Sequence, residues 1–190
     1  THSRCVALVL RISDLLLNVE RYALGTLMGL LVLLILINVI TRYAGVPLYW
    51  VDEASVYSVV WLTFIGASVM TRLRMDFSVG LLTDPLGPKA KRGARAVASG
   101  GVVLFAVSLL LMCNLWMDPV GIAKMGFDAR AYAADSFNFL YTERSQTLEW
   151  PLWVVQLTIP LFALSLLLHG LANFLEDLGL AHPLSKHTQH

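Results

Sequence analysis

Four long stretches of this chain carry no charged side chain at all: Tyr22 to Thr41, Ala54 to Thr71, Ala96 to Met117 and Trp150 to Leu175. They run 20, 18, 22 and 26 residues. As helices rising about 1.5 Å per residue they reach roughly 27 to 39 Å, against a hydrocarbon core about 30 Å thick. A soluble bundle would need a polar stripe on each helix to meet water, and Leu30 to Ile37 and Val102 to Met112 have almost none. Composition agrees: 57% of residues are hydrophobic and 14% charged, where soluble chains carry about 25% charged residues. Backbone polar groups in lipid need partners within their own segment, so the spans are expected to be helical. The expected fold is therefore all-α, an integral membrane four-helix protein forming a single membrane domain over residues 1–190, with spans at about 22–41, 54–71, 96–117 and 150–175.

Orientation follows from lysine and arginine in the short flanking segments. Arg4, Arg11 and Arg21 precede the first span; Arg72, Arg74, Lys89, Lys91, Arg92 and Arg95 lie between the second and third; Lys186 follows the fourth. These ten share one side, whereas Arg42, Lys124, Arg130 and Arg144 make four on the other. Both termini are expected in the cytoplasm. Trp50, Trp116, Trp150 and Trp153 fall at the outer ends of the spans, where amphipathic rings favour the interface, and only Trp61 sits deeper.

Before the first span, Arg11, Asp14, Asn18 and Arg21 recur at helical spacing, with Ile12, Leu15, Leu16 and Val19 on another face. Residues 5–21 are expected to form an amphipathic helix lying along the inner leaflet. Val6 to Leu10 is too short for a signal-peptide core and has no small-residue cleavage site after it. The turn from Thr83 to Arg95 pairs Pro85, Gly87 and Pro88 with a basic run suited to anionic headgroups. The outer loop, residues 118–149, has five acidic against three basic residues. Its Phe137, Phe139, Leu140 and Tyr141 suggest a packed cap or short helix.

Catalytic patterns are missing: the chain has no HExxH, GxSxG, P-loop or GxGxxG, so an enzyme is not expected, and no cofactor is implied. A net charge of +1 supplies no basic field for nucleic acid. Cys5 and Cys113 are too few for a disulfide framework or a metal site, and His182, His187 and His190 belong to a terminal tail without site geometry.

Polar groups inside a membrane are functional suspects by default. Asn38 and Arg42 stand one turn apart at the end of the first span, and Arg42 and Glu53 flank an eleven-residue step through Gly45 and Pro47. They are expected to meet across the hairpin as an ion pair and to act as a structural staple. Glu53, Tyr57 and Trp61 follow at steps of four, a stripe expected to face protein. His169 has no acidic residue near it in the span and is expected to fill a satisfied packing role. Pro160 deprives the Gln156 carbonyl of its helical donor and should kink the last span. Gly25, Gly29 and the run Gly66, Ala67, Ser68 permit close helix approach.

The string Asn38-Val-Ile-Thr-Arg42-Tyr43, then Pro47-Leu-Tyr-Trp50-Val-Asp-Glu53, then Trp61-Leu-Thr-Phe-Ile-Gly66-Ala67, resembles the small membrane subunit of tripartite ATP-independent periplasmic (TRAP) transporters. Glu143-Arg144-Ser145, Trp150-Pro151-Leu152-Trp153 and Ile159-Pro160-Leu161 resemble a subclass of that family with a long outer loop. The chain departs from the family at Asp76-Phe77-Ser78-Val79-Gly80, where a His, an Arg and an Asp are usual. The resemblance implies a non-catalytic small permease subunit. Its partners would be a large membrane permease subunit and a periplasmic solute-binding protein, and the complex would take up an organic acid or similar solute on the sodium gradient. It also implies structural or partner-interface roles for Asn38, Arg42, Trp50, Glu53, Tyr57, Trp61 and Gly66, with lipids around them. The alternative is a relative of that subunit recruited as an accessory part of another inner-membrane complex, for example a photosynthetic or respiratory one.

Overall fold

The computed structural model describes residues 2–75 and 87–180. Asp76 to Gly80, part of the basic turn and the histidines of the C-terminal tail lie outside the described residues. Among the described residues the order is α1 (His2–Tyr43), α2 (Tyr49–Leu73), α3 (Pro88–Met117), α4 (Pro119–Lys124), α5 (Ala129–Ser136), α6 (Leu152–Gln156) and α7 (Thr158–Asp177). The only extended pairing among them is a single bridge between Arg144 and Pro151. Four segments are long and apolar enough to cross a membrane: Arg4–Tyr43, Tyr49–Leu73, Ala90–Lys124 and Leu152–Asp177. Only 6% of the most apolar window of the first is buried inside the chain, so that surface is left for lipid or another protein to cover.

The ends of these helices follow from backbone chemistry. Gly45 (φ +76°) and Gly179 (φ +77°) are left-handed. Each closes its helix with a paired turn, Val46 N–H to Thr41 O and Gly45 N–H to Arg42 O after α1, Leu180 N–H to Leu175 O and Gly179 N–H to Glu176 O after α7. The same closure after α2 uses Arg74 at φ +56°, a conformation that costs a non-glycine residue about 1 kcal/mol or more. The last span is interrupted where expected. α6 stops at Gln156 and α7 starts at Thr158, because Pro160 has no N–H to offer the Gln156 carbonyl.

The chain divides into two compact units. The first comprises Thr1–Tyr22, Ile65–Leu109 and Phe162–His190. Its core is mixed: Leu17, Val69, Ala106, Ala163, Leu166 and Ala172 are buried together with Ser13, Glu20, Ser68, Arg72, His169, Asn173, Glu176 and Asp177. Close helix approach occurs at Gly170, where a Cβ would stand 3.1 Å from a Val102 methyl and 3.2 Å from a Val103 methyl, and at Gly100 beside the Phe174 ring. In the second unit, Gly25 and Gly29 have nothing within reach, so the close contact expected there is absent and belongs to α3 with α7 instead.

Residues 5–21 do not form a separate helix, because they continue into the first span as α1. Ser13, Leu17 and Glu20 point into the unit, while Ile12, Leu15 and Val19 are exposed. The buried side meets His169 and Ser68, while Arg11 and Asn18 of the polar set stay exposed.

The second unit comprises Ala23–Phe64 and Leu110–Leu161. Its outer loop is folded, as its apolar residues suggested, with Ile122, Tyr132, Ala133 and Leu140 buried. Asp118 caps α4 by accepting from Gly121 N–H (2.9 Å) and also accepts from the Tyr132 hydroxyl (3.1 Å), while Asp128 caps α5 through Arg130 and Ala131 N–H. The last carbonyls of α3 have no helical donors and take theirs from the loop: Asn138 Nδ2 donates to Trp116 O (2.8 Å) and Tyr141 Oη to Met117 O (2.6 Å). Burial, with Tyr132 and Asp118 nearby, pushes the Tyr141 hydroxyl above its ordinary pKa, so it stays a donor. Gly121 is required at its position, since a Cβ there would lie 1.9 Å from Asp118 Oδ2 and 2.9 Å from the Tyr132 ring. Gly121→Ala forces the capping carboxylate aside, and thermal unfolding in detergent is expected to show a loss of about 1–3 kcal/mol.

Candidate functional site

Three helices of the first unit carry polar residues at helical spacing: Ser13, Asp14 and Glu20 on α1, Ser68 and Arg72 on α2, and His169, Asn173, Glu176 and Asp177 on α7. Steps of three, four and seven bring each set onto one side of its helix, and the sets meet. His169 is wholly buried; its Nδ1 lies 2.7 Å from Ser13 Oγ and its Nε2 3.0 Å from Glu20 Oε2. The other Glu20 oxygen accepts from Ser68 Oγ at 2.8 Å. His169, read from sequence as lacking an acidic neighbour, therefore has one, supplied from 149 residues away. Serine, histidine and carboxylate also make up the relay of hydrolases; here Ser13 is 0% exposed, and the triplet ties α1 to α7, with Ser68 adding α2.

A second layer centres on Arg72, whose side chain is 1% exposed. It donates to Asn173 Oδ1 (2.8 Å), Glu176 Oε1 (2.9 Å) and Asp14 Oδ1 (3.0 Å), leaving Nε buried without a partner. Arg74 extends the layer to Asp177 Oδ1 (2.8 Å), Glu176 Oε2 (3.3 Å) and the Asn173 carbonyl (2.9 Å). Ser99 of α3 donates to Asp177 Oδ2 at 2.9 Å, and Asn173 Nδ2 donates to Thr71 O at 2.7 Å. These bonds offset the left-handed strain at Arg74, which is tolerated where the surroundings over-determine it. Buried carboxylates and guanidinium groups are costly singly and acceptable only when paired and fully bonded. All four long helices contribute to this network.

In the second unit the staple forms with a different partner. Arg42 Nη2 binds Asp52 Oδ2 at 2.6 Å, Arg42 Nε binds Asn38 Oδ1 at 2.8 Å, and Asn38 Nδ2 donates to Asp52 Oδ1. The expected partner, Glu53, sits one residue further along α2 and so about 100° round the helix, facing elsewhere. With 57% and 43% of the two side chains exposed, the Arg42 pair adds little stability and serves to fix the hairpin.

Glu53 holds the outer loop instead. Its carboxylate accepts from the successive N–H groups of Gln146 (3.0 Å), Thr147 (2.8 Å) and Leu148 (2.9 Å). The Thr147 hydroxyl and Tyr57 Oη (2.7 Å) donate to it as well. Consecutive backbone N–H groups converging on one anion form a nest. The nest is shaped by a tight turn in which Ser145 N–H donates to Trp150 O (2.8 Å), Leu152 N–H to Glu143 O (3.0 Å) and Trp150 N–H to Ser145 Oγ (3.1 Å). Glu53→Ala removes the anion, and hydrogen exchange at Gln146, Thr147 and Leu148 is expected to rise about tenfold or more while exchange within α5 stays unchanged.

Of the residues singled out from sequence, Asn38 and Arg42 meet each other, and Glu53 meets Tyr57. Trp61 and Gly66 are half-buried further along α2, and Trp50 is 41% exposed at its start. Asp52, Asp14, Glu20, Arg72, Arg74, Asn173, Glu176 and Asp177 carry most of the polar bracing and were not expected to. The spacing of Ser68 to Arg72, and of His169 to Asn173 and Glu176, was the available signal.

The family model described as Tripartite ATP-independent periplasmic transporters, DctQ component, matches residues 31–180. No curated protein and no solved structure matches the chain.

Proposed function

The chain belongs to the DctQ component family of the tripartite ATP-independent periplasmic transporters, and from that membership we propose that it is the non-catalytic small subunit that stays fixed in the inner membrane while a large membrane subunit carries solute past it. The solute is an organic acid or a similar anion delivered by a periplasmic binding protein, and the sodium gradient drives its uptake. The basic segments around Arg11, Arg72 and Arg92 face the cytoplasm, and the loop from Asp118 to Glu149 faces the periplasm, beside the binding protein.

One observation carries this reading. Arg72 is bonded to Glu176, Glu20 to His169 and Ser68, and Asp177 to Arg74 and Ser99, across four helices, which spends these buried groups on rigidity. Moving a solute through a membrane by the motion of one part needs another part that does not deform. The staple at Arg42 and Asp52 and the Glu53 nest supply the same stiffness to the second unit. Asn38, Trp50, Tyr57, Trp61 and Gly66 then belong to the surface that meets the large subunit or the interface around it.

Co-expression tests the reading. The tagged chain is expected to bring down a large membrane subunit in mild detergent. Proteoliposomes holding both, with the binding protein and an inward sodium gradient, are expected to accumulate labelled organic acid, and those lacking this chain are not. A large subunit that is stable and transports at the full rate alone would overturn the proposal.

A further inference from the structure

Two phenylalanines of the outer loop occupy positions where a soluble loop gains nothing from them. Phe127 follows α4 at φ +62° and Phe137 follows α5 at φ +56°, a backbone region that favours glycine and asparagine. Their rings are 75% and 80% exposed. They turn outward from the loop's own core of Ile122, Tyr132 and Leu140, so packing inside the loop does not explain them.

Their surroundings do. The segment from Phe137 to Tyr141 is tied to the end of α3 by Asn138 on the Trp116 carbonyl and Tyr141 on the Met117 carbonyl. Asn138 Oδ1 also accepts from Leu140 N–H at 3.1 Å, which fixes the turn carrying Phe137 and Phe139. α3 itself presents Leu111, Met112, Leu115 and Trp116 outward, from 41% to 73% exposed. That helix is apolar enough to cross a membrane, and the bonds from Asn138 and Tyr141 hold Phe137 and Phe139 (53% exposed) at its C-terminal end. The C-terminal end of α3 therefore sets the level at which Phe137 and Phe139 stand. An exposed apolar ring without a polar edge, held at the end of a span, is suited to the boundary between headgroups and acyl chains.

We infer that Phe127 and Phe137, with Phe139, dip into the membrane interface and hold the short helix α5 against the bilayer surface, so that the occupant of this patch is lipid. The inference rests on the membrane reading of α3 and not on the identity of any transported solute.

Nitroxide labels at Phe127→Cys and Phe137→Cys, in a full-length chain with Cys5 and Cys113 replaced by serine and alanine, test it in phosphatidylcholine nanodiscs. Both labels are expected to collide freely with oxygen and severalfold less with a water-soluble nickel chelate than a control label at Gln146→Cys. Equal nickel access at all three positions overturns the inference. So does a patch that becomes shielded from both reagents only when the large subunit is added, since its occupant is then protein. A label at Phe139→Cys gives the same readout should either left-handed position fail to fold with cysteine. Uptake in proteoliposomes, measured separately, reports on the transporter role, so the two readings fail independently.

Discussion

His169→Ala is expected to destabilise the folded chain by about 3–5 kcal/mol, since it opens a cavity and strips the buried Glu20 carboxyl of one of its bonds. Glu20, whose side chain is 8% exposed, keeps only the Ser68 hydroxyl, and α7 loses its tie to Ser13. Unfolding of the purified chain by SDS, followed by circular dichroism, measures the loss. The double variant Glu20→Gln with His169→Gln is expected to recover most of it, because two neutral amides still bond to each other and leave no bare charge. With Glu20→Gln and His169→Gln each measured singly to complete the cycle, a large negative interaction term marks the pair as coupled. If the single and double variants are equally unstable, the residues fill space and the pairing contributes nothing.

Arg72→Met is the second large effect. It removes three bonds at once, to Asn173, Glu176 and Asp14, and leaves Glu176 with Arg74 at 3.3 Å as its remaining cation. The expected cost is about 3 kcal/mol or more, together with a lower yield of folded chain. Arg72→Lys restores the charge but not the planar fork that reaches three acceptors, so at least about half of the loss persists. Full recovery with lysine would mean that only the charge matters at this position.

The sequence makes the helices legible because hydrocarbon excludes charge, and that exclusion leaves gaps any reader of residues 22–41 or 150–175 can see. The network is harder to read for a related reason. Asp14, Glu20, Arg72, Arg74, Glu176 and Asp177 lie just outside the uncharged gaps, where they look like topology signals and solvated flanks. Only their partners reveal them as core, and those partners are 48 to 149 residues distant. Asp52 and Glu53 illustrate the limit at short range. Both are acidic and adjacent, and either suits Arg42 by charge. Their directions differ by about 100°, and the bond from Tyr57 one turn on fixes which way Glu53 looks. Helical phase, more than spacing along the chain, was the missing quantity.

Glu20 is synthesised long before His169, and the separation of 149 residues orders events during translation. While the first two spans are in place, Ser68 alone is available to the Glu20 carboxylate. Arg72 likewise waits for Asn173 and Glu176, 101 and 104 residues downstream. A chain ending before α7 thus holds Glu20 with Ser68 alone and Arg72 with Asp14 alone of the partners given above. The last helix to be made supplies the counter-charges that let the earlier ones close, so the same bonds that stiffen the finished subunit also report that its synthesis has reached α7.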